Sequence, residues 1–223
     1  MSEELWSAVD RYITDLLVAP DPALDAALKA SEAAGLPPIN VSPNQGKLLM
    51  LLARLQGARA ILEIGTLGGY STIWLARALP RDGRLITLEA DSKHAAVARA
   101  NFARAGLSDI IELREGRALE TLPQIAAQGR GPFDFIFIDA DKSNNPHYFA
   151  WALKLSRRGS LIIVDNVVRN GELIDADIED PAVEGVRRLY QMLAAEPRVS
   201  ATAIQTVGVK GYDGFAVAYV VNP

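Results

Sequence analysis

Two apolar runs in the chain each end in side chains that could bind a cation and move a proton. The first run is FDFIFIDADK, residues 133–142, and the second is LIIVDN, residues 161–166. Each has the length and composition of a buried parallel strand. We therefore expect Asp139, Asp141, Asp165 and Asn166 to emerge together at the carboxyl edge of one sheet, where open α/β sheets bind their ligands.

Oxygen-bearing side chains of this kind suit Mg²⁺, Mn²⁺ or Ca²⁺ rather than a soft metal. The carboxylates of Asp139 and Asp165 would neutralise a divalent ion and leave coordination positions for water or for two substrate oxygens. A vicinal diol or catechol chelated there would have the pKa of its hydroxyl lowered by the cation. Lys142, three residues beyond Asp139, could then take the proton as general base.

Structural roles compete with these functional ones. Asp and Asn at strand ends often form turns or cap helices, and we assign Asp141 to capping or to a cofactor contact rather than to the metal. A lysine such as Lys142 is, taken alone, most often a solvated surface residue. His94 and His147 lack partners at ligand spacing and are interpreted as incidental helix residues. The pair Arg187 and Arg188 is interpreted as part of a solvated face.

A glycine-rich loop follows an earlier apolar run, in the sequence LEIGTLGGYST. Gly65, Gly68 and Gly69 allow a tight turn and a close backbone approach before a helix that starts near Tyr70. The loop lacks the G-x-G-x-x-G spacing of a dinucleotide fingerprint, and Glu63 just ahead of it adds negative charge at the mouth of the site. That charge disfavours NAD and suits a ligand that carries an amine or another cation.

Glu89 ends the next predicted strand, about 20 to 25 residues after the glycine turn, where an acidic residue commonly hydrogen-bonds a ribose diol. An adenosine ligand without phosphates would satisfy both the loop and Glu89. The alternative is that glycines with flanking acids are ordinary helix N-terminus chemistry. The loop alone does not decide between the two interpretations.

The elements that must position these residues alternate, after Gly57, between short apolar runs and longer helical stretches, as βαβ units require. The predicted strands are Ala60–Ile64, Arg84–Glu89, Ile110–Arg114, Phe133–Ile138, Leu161–Val164, Val199–Val207 and Phe215–Val221. The predicted flanking helices are Glu3–Val18, Pro22–Ala34, Pro43–Gln56 and Pro181–Ala195. The connector GVKGYDG between the last two strands is too short for a helical crossover, so that pair should be an antiparallel hairpin.

The sum is an α/β fold, a Rossmann-like, seven-stranded, mostly parallel sheet with helices on both faces and a C-terminal antiparallel hairpin. We predict a single domain, residues 1–223, with an N-terminal helical cap at 1–56 and a cofactor-binding core at 57–223. The balance of 49% hydrophobic and 22% charged residues is ordinary for a globular protein.

Composition excludes several classes of protein. The chain has no cysteine, which excludes disulfides, thiolate zinc sites and thiol nucleophiles. A formal net charge of −4 argues against a large nucleic-acid footprint, although a compact basic patch could still exist. The N-terminus lacks the pattern of a signal peptide and no run has the length of a membrane span, so we expect a cytoplasmic protein without membrane contact.

Taken in chain order, the segments VSPNQG, LEIGTLGGYS, LITLEAD, FDFIFIDADK and LIIVDN resemble the motifs of the cation-dependent class I O-methyltransferases. That family includes the caffeoyl-CoA and catechol O-methyltransferases, and the likeness runs from about Val41 to the C-terminus. The resemblance implies S-adenosylmethionine (SAM) as methyl donor, bound by the core at 57–223. It also implies a divalent metal, Mg²⁺ or else Mn²⁺ or Ca²⁺, and a homodimer that involves the N-terminal helices.

The resemblance assigns roles to the positions that match the family motifs. The cofactor contacts that it implies are Val41, Glu63, Gly65, Thr66, Ser71, Glu89, Ala118 and Asp139. Among these, Glu89 would hold the ribose and Ala118 would line the adenine. The metal ligands that it implies are Asp139, Asp165 and Asn166, and the catalytic base is Lys142.

The acceptor is less defined. Leu67 stands where catechol-specific relatives carry a tyrosine, and the loop VVRNGELIDADIED, residues 167–180, matches no acceptor pocket known to us. We expect a small molecule with catechol-like or vicinal hydroxyl groups. The alternatives are an enzyme that methylates a hydroxyuridine-type base of transfer RNA, a nicotinamide-dependent oxidoreductase, and a non-catalytic protein that binds an adenosyl ligand.

Overall fold

The computed structural model describes residues 2–222, which form a seven-stranded sheet in the order β3-β2-β1-β4-β5-β7-β6. The strands are β1 Ala60–Ile64, β2 Arg84–Glu89, β3 Ile111–Glu115, β4 Phe133–Ile138, β5 Ser156–Asp165, β6 Val199–Gly208 and β7 Gly211–Val220. The pairs among β1 to β5 are parallel, and β7 runs antiparallel to both β5 and β6. The predicted fold class is therefore confirmed.

Proline and side-chain caps fix where the helices begin. The helices are α1 Glu3–Leu17, α2 Pro22–Ala33, α3 Pro43–Leu55, α4 Tyr70–Ala76, α5 Ser92–Arg104, α6 Ala118–Ala127, α7 Asn145–Lys154 and α8 Pro181–Ala195. Asp21, Ser42 and Asp180 accept hydrogen bonds from free backbone N–H groups at the starts of α2, α3 and α8. Each of these helices also has proline in its first turn, where no N–H is needed.

Helices cover both faces of the sheet because its central strands are apolar on both sides. In β4, Phe135 packs in one buried cluster with α3, α4 and α5, whereas Ile136 packs in the other cluster with α6, α7 and α8. All six residues of β4 are buried. This double burial explains the unbroken apolar run that precedes Asp139.

The N-terminal segment predicted as a cap is divided between two places. Helix α2 packs on α4 and α5, and α3 packs on α4, so both belong to the layer over one face of the sheet. Helix α1 lies instead against β6 and α3. The predicted domain of residues 1–223 also includes residues 1 and 223, which lie outside the described range. No helix within residues 2–222 is long and apolar enough to cross a membrane.

The C-terminal hairpin is longer than predicted. The connector GVKGYDG is mostly strand, because β6 continues to Gly208, β7 begins at Gly211, and only Val209 and Lys210 remain in the turn. Glycines that read as loop residues here allow close strand approach, since a Cβ at Gly214 would overlap the carbonyl oxygen of Ile204. Strand β5 also begins earlier than predicted, at Ser156.

Helix α8 makes a close approach to the short 3-10 turn Lys142–Asn144 that follows β4. A Cβ at Gly185 would overlap the carbonyl oxygen of Lys142 and the Cα of Ser143. The absence of a side chain at Gly185 thus sets how near the turn can lie to α8, and with it the position of Lys142.

We expect Gly185→Ala to lower the free energy of unfolding by about 1 to 3 kcal/mol, as overpacking of a filled interior does. The sign is informative, because alanine in a helix interior otherwise stabilises by up to about 1 kcal/mol relative to glycine. Urea denaturation of wild type and variant measures the difference, with Gln191→Ala on the exposed face of α8 as the control. A stabilised Gly185→Ala protein would contradict the close approach.

Candidate active site

A cavity of about 720 Å³ opens at the carboxyl edge of the parallel strands. Its wall includes the glycine loop after β1, the end of β2, the segment 139–142 after β4 and the residues at the end of β5. Helix α3 and the segment before it close another side, through residues 38–41 and Gln45. The volume is in the range of small-molecule sites.

All but one of the predicted site residues line this cavity. Those in its wall are Val41, Gly65, Thr66, Ser71, Glu89, Ala118, Asp139, Lys142, Asp165 and Asn166. Glu63 does not reach the wall, since it is fully buried in the middle of the sheet. The predicted juxtaposition of the strand ends is therefore present, and the individual roles stay predictions.

Glu63 lies beneath the glycine loop rather than at the mouth of the cavity, where we expected its charge. Ser71 and Thr87 donate hydrogen bonds of 2.7 and 2.6 Å to its carboxylate, and Thr72 donates a third. Burial raises the pKa of Glu63 to about 7, although these hydroxyl bonds act in the opposite direction. Its negative charge is thus partly suppressed, and its evident contact is with the start of α4.

The turn after β1 depends on Gly65, whose φ of +97° favours glycine. A Cβ at this position would overlap the carbonyl oxygen of Asp139, so the ends of β1 and β4 meet almost in contact. Beyond it, the backbone N–H of Leu67 donates a 2.8 Å hydrogen bond to the Glu89 carboxylate. Glu89 therefore holds the glycine loop against the end of β2 while its side chain also lines the cavity.

His94, interpreted from sequence as incidental, also lines the cavity. Its Nδ1 lies 3.7 Å from Oε1 of Glu89. His94 can be identified as a cavity residue only from the structure, in which the start of α5 lies beside the end of β2. Its spacing along the chain does not relate it to Glu89.

Asp139 and Asp165 face each other across neighbouring strands. The register pairs Ile138 with Val164, so the two aspartates occupy the next positions along β4 and β5. Lys142 donates a 2.7 Å hydrogen bond to Asp139 Oδ1. Burial, and then the negative charge of Asp139, raises the pKa of Asp165 to about 7, while Lys142 lowers it.

This oxygen set fits a hard divalent cation. Within residues 2–222 no three His, Cys, Asp or Glu side chains converge on one point. The donors available to a cation here would be the carboxylates of Asp139 and Asp165 and the amide of Asn166, which all line the cavity. Burial of Asp165 and, after it, the neighbouring negative charge of Asp139 both disfavour a charged carboxylate at Asp165, and a bound cation would offset both effects. Carboxylate and amide oxygens are ligands that Mg²⁺ and Ca²⁺ accept.

Gln45 was missed by sequence reasoning, which drew only Val41 from the segment VSPNQG. Its Nε2 donates a 2.7 Å hydrogen bond to Asp165 Oδ2. The N-cap Ser42 starts α3 at the point that brings Gln45 over the end of β5. This bond joins residues that are 120 positions apart, and a single sequence carries no signal for it.

Asp141 does not cap a backbone N–H, in contrast to one of its predicted roles. Its carboxylate accepts hydrogen bonds from the side chains of Ser143 and Asn144 and from the hydroxyl of Tyr148. Burial and the Asp141 charge raise the pKa of Tyr148. Asp141 thus fixes Tyr148 in the cavity wall, where both residues lie.

Arg187 lies against the loop after β5 and is not part of a solvated face, which corrects the sequence interpretation. It pairs with Glu184 one turn earlier on α8. Its guanidinium also donates to four backbone carbonyls of that loop, those of Glu172, Leu173, Asp175 and Ile178. Exposed Arg188 fits the predicted role, and the two neighbours therefore differ completely.

The chain is similar to known proteins over almost its whole length. A family model described as O-methyltransferase matches residues 19–217. A protein named catechol O-methyltransferase from Niastella koreensis is 56% identical over 220 residues, which cover 99% of this chain and 100% of that protein.

Two solved structures extend the comparison. An O-methyltransferase from Bacillus cereus in complex with SAH is 61% identical with a TM-score of 0.97, over 98% of this chain and 100% of that one. The O-methyltransferase TomG from Streptomyces achromogenes, described as involved in tomaymycin synthesis and in complex with SAM, is 53% identical with a TM-score of 0.96 and complete coverage of both chains.

The buried carboxyl of Glu63 should make stability fall as pH rises. Below its ordinary pKa of 4.5 the group is neutral whether the chain is folded or unfolded, and above its folded value of about 7 the folded protein must hold a buried charge. We expect the stability of wild type relative to Glu63→Gln to decrease by about 1 to 3 kcal/mol between pH 5 and pH 8.

Urea denaturation in EDTA at a series of pH values measures this, since other titrating groups are common to both proteins and cancel. The control is Glu32→Gln, an exposed position on α2, whose difference from wild type should not change with pH. A difference between wild type and Glu63→Gln that is constant from pH 5 to pH 8 would rule out the raised pKa.

Proposed function

The chain belongs to the O-methyltransferase family, and we propose that it uses a divalent cation to methylate one hydroxyl of a catechol-like or vicinal-diol small molecule. The enzyme class is that of SAM-dependent O-methyltransferases. The cation and the class of acceptor are the proposed part. This family membership replaces the nicotinamide-dependent oxidoreductase that the sequence had left open.

One observation carries the proposal. Asp139, Asp165 and Asn166 line one end of the cavity whose other walls include the glycine loop and Glu89. The proposed cation ligands and the proposed nucleoside contacts therefore line one and the same cavity. The complexes of relatives with SAH and SAM support an adenosyl ligand for this chain. The acidic side chain of Glu89 at the end of β2 supports placing the ribose of that ligand on the Glu89 side.

A cation bound by these oxygens would lower the pKa of a coordinated hydroxyl and offset the negative charge that forms on its oxygen. The chain itself then has to orient two ligands. The acceptor oxygen forms a bond to the methyl carbon as the bond from that carbon to the sulfonium sulfur breaks. The products are a methyl ether, S-adenosylhomocysteine and a proton, and the step needs no covalent bond to the enzyme.

Lys142 is the proposed acceptor of that proton. Its Nζ lies 2.7 Å from Asp139 Oδ1 and its side chain is largely buried in the cavity wall. The carboxylate holds the amine beside the position of the reacting hydroxyl. Gly185 of α8 sets how closely the turn that contains Lys142 packs against that helix.

The acceptor is proposed to be a small molecule rather than a nucleic acid. The cavity of about 720 Å³ suits a cofactor and one small ring compound. The net charge of −4 argues against a broad basic surface, which binding of a phosphate backbone would need. Transfer RNA remains the alternative acceptor and belongs in any substrate panel.

A homodimer is also proposed, on the basis of the family resemblance and of α1. Leu5, Leu16 and Leu17 on that helix are 50%, 65% and 62% exposed. Apolar side chains grouped on one surface helix support contact with a second copy of the chain.

Removing the cation or a ligand should abolish methyl transfer and spare cofactor binding. We expect EDTA, or the substitution Asp165→Ala, to lower turnover of a catechol acceptor by at least about 100-fold, because the developing charge on oxygen loses its counter-ion. The assay follows labelled SAM with catechol-like acceptors and with bulk transfer RNA, and calorimetry measures the Kd of S-adenosylhomocysteine.

Asp177→Ala, an exposed aspartate in the loop after β5, is the matched control and should behave as wild type. Transfer that persists in EDTA and in Asp165→Ala would refute the metal mechanism. Failure of wild type to bind S-adenosylhomocysteine would refute the placement of the cofactor.

Substitution of the proposed base should affect the chemical step alone. We expect Lys142→Met to reduce kcat by about 100- to 10,000-fold, the range of a lost general base, with the Kd of S-adenosylhomocysteine within about threefold of wild type. Single-turnover methylation of a catechol over pH 6 to 10 provides the measurement. Lys29→Met on the exposed face of α2 is the control, and a loss of less than about tenfold in Lys142→Met would leave Lys142 without a catalytic role.

A further inference from the structure

We propose that the acceptor carries a carboxylate in addition to its vicinal hydroxyls, and that Arg169 recognises this group. The inference rests on the proposed function, because it assumes that the hydroxyls lie at Asp139, Asp165 and Asn166. It adds a class of substrate, hydroxylated aromatic acids, and a residue that selects them.

Arg169 lies in the same cavity wall as the proposed cation ligands. It lines the wall and follows Asn166 by three residues, so their Cα atoms are at most about 11 Å apart. This short separation, in the wall of one cavity, is the basis for assigning the hydroxyls and the carboxylate of a single aromatic ring to the proposed ligands and to the guanidinium. Asp213 of β7 fixes the turn, since its Oδ1 accepts from the N–H groups of Val168 and Arg169 at 2.9 and 3.1 Å.

The guanidinium has donor capacity that no described residue uses. Among residues 2–222, Arg169 makes no ion pair and no side-chain hydrogen bond, and its Nε is buried without a partner. Buried polar groups are normally bonded. Lys142 in the same cavity pairs with Asp139, and Arg187 donates its hydrogen bonds to carbonyls of the loop after β5. Arg169 differs from both because its guanidinium has no such partner in the described part of the chain.

A carboxylate is the ligand that best matches a guanidinium without hydrogen-bond partners. Its two oxygens can accept two parallel N–H bonds from arginine, with charge assistance. Lys210 in the turn between β6 and β7 also lines the cavity and likewise has no acidic partner among residues 2–222, its Nζ donating only to the carbonyl oxygen of Pro38. A second cationic side chain in the wall of the same cavity favours an anionic ligand.

The carboxylate of SAM is the competing partner for Arg169. The strand order makes it the weaker candidate, because the glycine loop follows β1 while Arg169 follows β5, two strands further along the sheet. Neighbouring strands are about 4.8 Å apart, which separates the two strand ends by roughly 10 Å. The two assignments predict different effects of substituting Arg169. Loss of a bond to the SAM carboxylate would weaken cofactor binding, whereas loss of a bond to the acceptor carboxylate would not.

The test compares 3,4-dihydroxybenzoate with the uncharged 3,4-dihydroxybenzamide as acceptors, using the full chain with SAM and Mg²⁺. We expect Arg169→Met to lower kcat/KM for the acid by about 10- to 100-fold, the effect of a lost charge-assisted bond, and for the amide by less than about threefold. Arg169→Lys should keep part of the preference, and Arg188→Met, the same loss of charge at an exposed position, should change neither value.

Calorimetry provides a readout that does not depend on turnover. The acid should bind the complex of enzyme, Mg²⁺ and S-adenosylhomocysteine more tightly than the amide, and Arg169→Met should remove that difference. If neither diol is methylated, the proposed function fails, and the binding difference still decides on Arg169. Equal losses for acid and amide, or a weaker Kd for S-adenosylhomocysteine in Arg169→Met that accounts for the effect, would overturn the proposal.

Discussion

The parallel register of β4 and β5 forces Asp139 and Asp165 side by side, and the rest of the site follows from that repulsion. With Ile138 opposite Val164, the next residue on each strand is an aspartate at the open edge of the sheet. Two neighbouring carboxylates, one of them buried, need compensation. Lys142 supplies it to Asp139, and Gln45 and the backbone N–H of Asn166 donate to Asp165, so two of the three compensating groups come from elements other than β4 and β5.

Those compensating residues are positioned by contacts that lie outside the sheet. Gln45 depends on the start of α3, and Lys142 depends on the close fit of its turn against Gly185 of α8. The end of β1 meets the carbonyl of Asp139 through Gly65. Small or absent side chains at these points let the elements approach, so the geometry of the cation site is a property of the packed core as a whole.

The sequence predicts strand boundaries well, because they depend on local residue patterns. It predicts poorly the side-chain contacts that depend on the tertiary structure. Strands β1, β2 and β4 begin and end where expected because apolar runs bounded by polar residues mark buried strands. The sequence predicts Glu63 at the mouth of the cavity, which is wrong. Strand β1 is buried on both faces, so it has no alternation of polar and apolar residues that would show where each side chain points. Gln45 gains its role from a residue 120 positions away. Arg187 gains its role from the path of the irregular loop after β5, and no spacing rule predicts either contact.

The arrangement separates two parts that can change at different rates. Asp139, Asp165 and Asn166 sit at the ends of central strands, whose buried side chains each pack into one of the two helix layers. Arg169 and Lys210 sit on a turn and a hairpin tip at the side of the sheet that ends in β7 and β6. Surface connections tolerate insertion and replacement far better than core strands. Evolution could therefore exchange these two segments to address new acceptors while inheriting the methyl-transfer chemistry unaltered.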